Sequence, residues 1–122
     1  MMDGTKKILK LDSSVGITAT CVRVPVLNSH SVEINVEFEK NPSVEELRAV
    51  LEDARGIIVY DKVEDNIYPM PILSNGRDEI FVGRIRKDVS RENSFHIFCV
   101  GDNIRKGAAS NAIQIVEMLE NR

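Results

Sequence analysis

Residues 30–39 alternate between apolar and polar side chains, and this pattern limits the possible folds more than any other feature of the sequence. The apolar set is Val32, Ile34, Val36 and Phe38, and the polar set is Glu33, Asn35, Glu37 and Glu39. Successive side chains of a β-strand point to opposite faces, so the segment is predicted to be a strand with one packed face. Carboxylates that alternate along a strand are typical of a solvated face, and we therefore predict no metal site here.

Helix and strand signals alternate along the rest of the chain. Ser43 and Glu46 form a capping box ahead of an amphipathic helix that Gly56 ends. Residues 61–76 contain Pro69 and Pro71 and are predicted to be an extended surface connection, with Met70 extended between the two prolines. The predicted elements are a helix fragment at 5–11, strands at 17–27, 30–39, 57–60, 80–89 and 95–100, and helices at 43–54 and 103–120.

The last predicted helix has Asp102 as its N-cap. Its apolar stripe is expected to be buried and comprises Ile104, Ala108, Ala112, Ile115, Val116 and Leu119. Together the elements predict an α/β (α+β) domain, in which a mixed, largely antiparallel sheet is covered on one face by the helices. Within the sheet, Gly83 is expected to permit a close approach of backbone.

The composition of the chain limits the classes of function that it can have. The chain has 122 residues, with 43% hydrophobic and 29% charged, which fits a single globular domain. A net charge of −3 provides no basic field, so nucleic acid is not an expected partner. The sequence has no apolar run long enough to span a membrane and its first residues lead into lysines, so we predict a cytoplasmic protein without a membrane segment. Cys21 and Cys99 are expected to be buried free thiols.

Arg23 and His30 are the first candidates for a functional site. They flank the end of the predicted 17–27 strand, and strand ends are where a rigid scaffold commonly places binding groups. The arginine fork matches a carboxylate or phosphate, and histidine can transfer protons near neutral pH. The alternative is a surface arginine and a turn histidine. Cys21 shares the predicted strand face with Arg23 and could act as a nucleophile beside a base, although a structural cysteine is commoner.

Three further polar groups have a functional and a structural interpretation. Asn103 lies in the first turn of the last helix, where free N–H groups favour an anion or a polar ligand edge, or it is only a tolerated first-turn residue. His96 is predicted to be a packed or paired histidine. The basic cluster suits an anionic cofactor, a subunit contact or a solvated strand face; it comprises Arg84, Arg86 and Lys87.

Four ordered blocks of sequence resemble the C-terminal part of aspartate-semialdehyde dehydrogenase. They are Ala-Thr-Cys-Val-Arg-Val-Pro-Val at 19–26, His-Ser at 30–31, Gly-Arg-Ile-Arg-Lys-Asp at 83–88 and Val-Gly-Asp-Asn-Ile-Arg-Lys-Gly-Ala-Ala at 100–109. The resemblance implies the C-terminal domain fold of glyceraldehyde-3-phosphate-dehydrogenase-like enzymes. It also implies that Arg23 binds the substrate carboxylate, that His30 is the proton acceptor and that Asn103 contacts the cofactor NADP.

The implied reaction is the reversible NADPH-dependent conversion of aspartyl phosphate to aspartate semialdehyde and phosphate, on the route to lysine, threonine and methionine. The family's nucleophilic cysteine and glycine-rich NADP-binding domain do not appear in these residues. We therefore expect residues 1–4 to be a start or cloning scar and residues 5–122 to be a single substrate-binding and dimerisation domain that is inactive alone and forms a homodimer. The alternatives are a non-catalytic dimerisation module and a relative of acetyl-glutamyl-phosphate reductase.

Overall fold

The computed structural model of the chain describes residues 2–12, 14, 17 and 19–120. Its helices are α1 (Met2–Leu9), α2 (Val44–Asp53), α3 (Pro71–Ser74) and α4 (Ser110–Glu120), and its strands are β1 (His30–Glu37), β2 (Ile57–Val59), β3 (Ile80–Lys87) and β4 (Ser94–Gly101). A 3-10 turn spans Val63–Asp65, and a π-helical turn at Arg105–Ala109 leads into α4.

The strands form one sheet in the order β1-β4-β3-β2. β1 and β3 pair antiparallel with β4, whereas β2 pairs parallel with β3. The predicted fold class, a mixed and largely antiparallel sheet with helices, is confirmed. The parallel pair requires a crossover between β2 and β3, and residues 60–79 provide it.

Helix α2 packs against one face of the sheet and forms the core with it. Val82, Ile85 and Ile97 lie at the centre. The partly buried apolar side chains around them are Val36, Val44, Leu47, Leu51, Ile57, Val59, Ile80 and Cys99. Burial of these side chains is the main term that holds α2 on the sheet.

The capping box predicted for α2 is confirmed. Ser43 Oγ accepts a hydrogen bond from the Glu46 amide at 3.0 Å, and Glu46 Oε2 accepts one from the Ser43 amide at 2.7 Å. Beyond the helix, Gly56 has a φ of +81°, a left-handed conformation that glycine adopts without steric cost. Gly56 does not itself end the helix, because α2 ends at Asp53 with an extended Ala54 as its C-cap, and Gly56 instead forms the turn into β2.

Gly83 lies where the crossover crosses β3. A Cβ atom at this position would be 2.5 Å from Pro69 Cδ and 2.6 Å from the Tyr60 carbonyl oxygen. The Tyr60 amide also donates a hydrogen bond to the Val82 carbonyl at 2.8 Å. The predicted close approach of backbone at Gly83 is thus confirmed, because no larger residue fits there without movement.

The predicted strand at 17–27 is wrong over the described residues, which form no strand between 19 and 29. Of the residues in this prediction, Thr18 lies outside the described part. Pro25 has no N–H to donate, and the Val26 amide instead donates to the Val24 carbonyl at 2.9 Å. High β-propensity alone does not form a strand when no neighbouring edge accepts it.

Several predicted boundaries also shift. Helix α1 begins at Met2 and ends at Leu9, whereas the sequence predicted 5–11. The connection at 61–76 is not wholly extended, because it contains the Val63–Asp65 turn and α3. Met70 itself is extended, with φ −136° and ψ 149°, as predicted for a residue between two prolines.

The apolar stripe predicted to be buried on the last helix is instead largely exposed. Ile104, Ile115, Val116 and Leu119 are each more than half exposed. The helix start also differs from an ordinary first turn, because the π-helical turn separates Asp102 from α4. Helix α2 therefore covers the described sheet, and α4 contributes little to this core.

Candidate active site

Strand pairing brings two of the predicted site residues to one end of the sheet. His30 is the first residue of β1 and pairs with Gly101, the last residue of β4. Asn103 follows two residues later at the exit from β4. His30 and Asn103 line the same cavity, which has a volume of about 270 Å³.

A hydrogen bond links Ser29, the residue before His30, to the side chain of Asn103. The Ser29 amide donates to Asn103 Oδ1 at 3.1 Å, across 74 residues of sequence. Since an amide N–H can donate only to the oxygen, this bond determines which way the Asn103 side-chain amide lies. The –NH₂ group of Asn103 is then the end that remains to donate to a ligand.

Asp102 holds the turn that carries Asn103. Its Oδ1 accepts from the amides of Ile104 at 2.8 Å and Arg105 at 3.0 Å, and its Oδ2 accepts from the Gly76 amide at 2.8 Å. These three backbone donors, first that of Arg105, hold the pKa of the Asp102 carboxyl below its ordinary value. Asp102 thus holds the first amides of this turn, but it is not the predicted N-cap of the last helix, because a π-helical turn with Ile104 at its N-cap position precedes α4. The bond to Gly76 also ties this turn to the crossover.

The cavity has an apolar wall and few polar groups. The wall is formed mainly by Val32, Ile80, Cys99 and Val100. Desolvation raises the pKa of the Cys99 thiol, which keeps it neutral and a poor nucleophile. Lys106 also lines the cavity and donates to Gln114 Oε1. Such a cavity suits a flat, mostly apolar group with one polar edge.

The third predicted residue, Arg23, is not brought into this cavity. It lies exposed in the irregular segment between 19 and 29. Cys21 is exposed in the same segment, so the prediction that this thiol is buried is wrong; Cys99 is partly buried. Both errors have the same origin, because without a strand at 17–27 no sheet face buries Cys21 or directs Arg23.

The prediction that His96 is paired is confirmed on the sheet face opposite α2. His96 Nδ1 lies 2.5 Å from Glu33 Oε1, so Nδ1 carries a proton and donates. His96 Nε2 lies 3.2 Å from both Asn35 Nδ2 and Asp88 Oδ2, and Asn35 Nδ2 donates to Asp88 at 2.8 Å. The polar residues of β1, β3 and β4 thus form a connected surface on this face.

The basic cluster lies beside the same surface. Arg84 and Arg86 line a second cavity of about 390 Å³ together with Glu33, Tyr68 and Phe98. Arg84 has a φ of +55° and lies at a register shift between β3 and β4, which is a bulge in β3. Lys87 does not line this cavity, and its ammonium lies over the Phe95 ring at 6.0 Å. We refer to this surface, formed by Glu33, Asn35, Tyr68, Arg84, Arg86, Asp88, His96 and Phe98, as the polar sheet face.

Sequence reasoning missed the buried serines next to the site. Ser29 is 8% exposed and Ser74 is fully buried, and the two hydroxyls are hydrogen-bonded at 2.8 Å. Ser29 follows Asn28 in a stretch with the composition of a turn, and nothing in the local sequence of Ser74 indicates a partner 45 residues away. Over residues 19–120, no group of three or more His, Cys, Asp or Glu side chains could hold a metal ion, and no helix could span a membrane.

Comparison with known proteins identifies the class. Residues 1–106 match the family "Semialdehyde dehydrogenase, dimerisation domain". The match spans most of the chain, and the mixed sheet agrees with it. The chain therefore belongs to the semialdehyde dehydrogenase dimerisation-domain family.

Individual relatives carry a more specific name. The chain is 53% identical over 119 residues to the aspartate-semialdehyde dehydrogenase of Aquifex aeolicus and 40% identical over 121 residues to that of Bacillus subtilis, covering 98% of this chain in both cases. Its structure resembles aspartate semialdehyde dehydrogenase II of Vibrio cholerae complexed with ASA, with a TM-score of 0.84, 36% identity and 99% of this chain covered. In each comparison the chain spans 35% of the relative's length.

Proposed function

We propose that the chain is the substrate-binding and dimerisation domain of an NADP-dependent aspartate-semialdehyde dehydrogenase. The observation that supports this most is the shared cavity of His30 and Asn103, in a chain whose relatives carry that name. The reaction would interconvert aspartate semialdehyde with phosphate and aspartyl phosphate, in the biosynthesis of lysine, threonine and methionine. Such an enzyme acts in the cytoplasm.

His30 acts in this proposal as the proton acceptor. In the direction from the aldehyde, it takes the proton of a nucleophilic thiol, and the thiolate attacks the aldehyde carbon. The adduct becomes a thioester only when a hydride is removed from it, which is the chemistry that a bound nicotinamide would supply. Phosphate then displaces the thiol from the thioester to give aspartyl phosphate. The thiol belongs to another part of the polypeptide, because Cys99 is held neutral by burial and the exposed Cys21 does not line the cavity.

Asn103 is proposed to bind the nicotinamide end of the cofactor. Its –NH₂ group can donate to a carboxamide oxygen, and the apolar wall beside it can pack against a flat ring. When bound, the nicotinamide accepts or delivers the hydride. The sequence contains no glycine-rich turn for the phosphates, so most of the dinucleotide would be bound elsewhere in the enzyme.

Arg23 is proposed to bind the substrate carboxylate through a bidentate pair. Support comes from its fork geometry and from its exposed side chain, which leaves the guanidinium accessible. The irregular segment that carries it ends at Ser29, which is bonded to Asn103. Arg23 would therefore approach the cavity from the same end of the sheet as His30.

The polar sheet face is proposed to form the contact between two subunits of a homodimer. It presents both signs of charge in one connected patch, together with the partly apolar cavity beside Tyr68 and Phe98. A two-fold contact places the same patch of both subunits together, and mixed charges allow such a patch to complement itself. The match to a family described as a dimerisation domain supports this assignment.

The test uses steady-state kinetics of the complete enzyme that carries this domain. We expect His30→Ala to lower kcat by roughly 10²-fold or more, and Arg23→Leu to raise KM for aspartate semialdehyde by about 10²-fold, because a charged pair is lost. Arg55→Leu is the matched control, since Arg55 is exposed near α4 and lies outside both the cavity and the polar sheet face. Wild-type kinetics for both His30→Ala and Arg23→Leu would rule out the assignment.

A further inference from the structure

Ser29 has an unusual backbone conformation for its surroundings. Its φ is +82°, in the left-handed region that an L-residue other than glycine adopts only at a steric cost. The described residues other than glycine that have positive φ are Lys10, Ser29, Asn66, Arg84 and Asn93. Of these, only Ser29 is buried. A strained residue that is also buried next to a candidate site is held there by specific contacts.

Three hydrogen bonds hold Ser29 in place. Its hydroxyl donates to the Pro71 carbonyl at 2.8 Å and accepts from the Ser74 hydroxyl at 2.8 Å. Its amide donates to Asn103 Oδ1 at 3.1 Å. Ser74 Oγ also lies 3.1 Å from the Pro71 carbonyl oxygen, so the two hydroxyls and this carbonyl form one closed hydrogen-bonded cluster.

These contacts lie immediately before His30. The φ of Ser29 sets the direction in which the backbone enters β1, and β1 begins at His30. The same residue is bonded to Asn103 on the other side of the cavity. A change of conformation at Ser29 would therefore move His30 and Asn103 relative to each other.

We propose that Ser29 is a positioning residue, whose left-handed backbone, held by the hydroxyls of Ser29 and Ser74 and by Asn103, sets the placement of His30 in the cavity. The inference rests on the proposed function, because it gives His30 its role as proton acceptor. Ser29 itself does not touch substrate in this scheme. Small displacements of a proton-transfer group reduce turnover strongly, since the reaction needs near-attack geometry.

Two substitutions at Ser29 distinguish the effect of its backbone conformation from the effect of its hydroxyl. Ser29→Ala keeps the steric cost of a positive φ but removes the hydroxyl whose hydrogen bonds offset that cost. The backbone of residue 29 should therefore move towards a negative φ. Ser29→Gly also lacks the hydroxyl, but glycine adopts φ near +80° without that cost. In the complete enzyme we expect Ser29→Ala to lower kcat about tenfold with little change in KM for the aldehyde, and Ser29→Gly to recover most of that loss.

The control is Ser31→Ala, on the other side of His30, where the side chain is exposed and pairs opposite Val100. It should retain wild-type kcat. The proposal is overturned if Ser29→Ala has wild-type kcat, or if Ser29→Gly is as impaired as Ser29→Ala. The first result would mean that the hydroxyl does not position His30, and the second that it acts through something other than the backbone.

Nuclear magnetic resonance of the 122-residue chain separates this inference from the proposed function. Ser29→Ala should shift the His30 ring signals and the Asn103 side-chain amide signals. Ser29→Gly should return both sets of signals to their wild-type positions. Ser31→Ala should leave the Asn103 side-chain amide signals unchanged. Absence of dehydrogenase activity in the wild-type enzyme would contradict the proposed function alone. Unchanged His30 and Asn103 signals in Ser29→Ala would contradict the positioning role alone.

Discussion

Arg48 and Asp61 form a two-point contact between α2 and the segment that leaves β2. Arg48 donates from Nη2 to Asp61 Oδ2 at 2.7 Å and from Nη1 to the Asp61 carbonyl at 3.2 Å. The Ile85 amide also donates to Asp61 Oδ2 at 3.3 Å. The Asp61 side chain is 1% exposed and the Arg48 side chain 30% exposed. Among the described residues, Asp61 Oδ1 is buried without a hydrogen-bond partner.

Because Asp61 is much more buried than Arg48, removing one partner should destabilise the domain more than removing the other. Arg48→Met leaves a buried carboxylate with only the Ile85 amide, and should lower the free energy of unfolding by about 3 kcal/mol. Asp61→Asn should cost less, because the Arg48 guanidinium can turn into water. Urea denaturation of the 122-residue chain measures both. Arg55→Met is the control, since Arg55 forms an exposed 3.7 Å pair with Glu117 that should contribute less than about 1 kcal/mol. Equal effects of Arg48→Met and Arg55→Met would contradict this account.

Gly83→Ala should destabilise the domain by about 1–3 kcal/mol, the usual cost of overpacking. The new Cβ would lie 2.6 Å from the Tyr60 carbonyl oxygen and 2.5 Å from Pro69 Cδ, so backbone has to move. Gly4→Ala is the control, because nothing lies within 4 Å of a Cβ there. Thermal unfolding compares the two variants, and a wild-type Tm for Gly83→Ala would show that the crossover can shift without cost.

Asp102 should contribute to the acid sensitivity of the domain. Its pKa in the folded chain is lowered, so its stabilising contribution is present above the ordinary pKa of about 4 and is lost as the pH falls through the folded-state value. Asp102→Asn replaces one of the two carboxylate oxygens by an –NH₂ group, which cannot accept a hydrogen bond from the backbone amides. The substitution should therefore lower the free energy of unfolding at pH 6. The difference from wild type should narrow as the pH falls below about 4. Asp65→Asn, at an exposed position, is the control for the substitution itself. A pH-independent difference for Asp102→Asn would rule this out.

The chain should be a dimer in solution through the polar sheet face. Light scattering over a dilution series at micromolar concentration is expected to give twice the chain mass of 13.7 kDa. Arg84→Glu reverses a charge on that face and should shift the equilibrium toward monomer, whereas Arg55→Glu, outside that face, should not. A mass near 13.7 kDa throughout would exclude the dimer.

The 122-residue chain alone should neither oxidise aspartate semialdehyde nor bind NADP tightly. One amide contact from Asn103 and an apolar wall cannot offset the entropy lost when a dinucleotide is immobilised. Isothermal titration with NADP and an absorbance assay for NADPH formation are the measurements. NADPH formation by the purified chain would contradict the proposal that the nucleophile lies elsewhere.

The local signals in the sequence were sufficient wherever the stabilising partner is a near neighbour. The capping box of Ser43 and Glu46 was predictable because both partners lie within one helical turn. The alternation over residues 30–39 predicted the strand β1, which ends at Glu37, because a period of two is that of a strand. Its predicted packed face is only partly found, since Val32 and Ile34 are 41% and 39% exposed. The bonds from Asp102 to the amides of Ile104 and Arg105 were predictable for the same local reason, whereas the π-helical turn that follows was not.

The sequence signals failed where the outcome depends on a distant partner. Residues 19–27 have the composition of a strand, but they are irregular and pair with neither edge strand of the described sheet, β1 or β2. The apolar stripe of α4 has helical spacing, yet most of it is exposed, and the described core is formed by α2 and the sheet. Periodicity shows that an element has an apolar side and does not identify what covers it.

The candidate site combines both kinds of information. Sequence by itself selected His30 and Asn103, through their residue types, their positions at element ends and the family resemblance. Only the tertiary structure decided that the β1–β4 register places them around one cavity, and that Ser29 and Ser74 support the approach to it. The physical reason is that hydrogen bonds between residues 45 or 74 positions apart leave no trace in local composition, since strand register and chain crossover determine which groups meet.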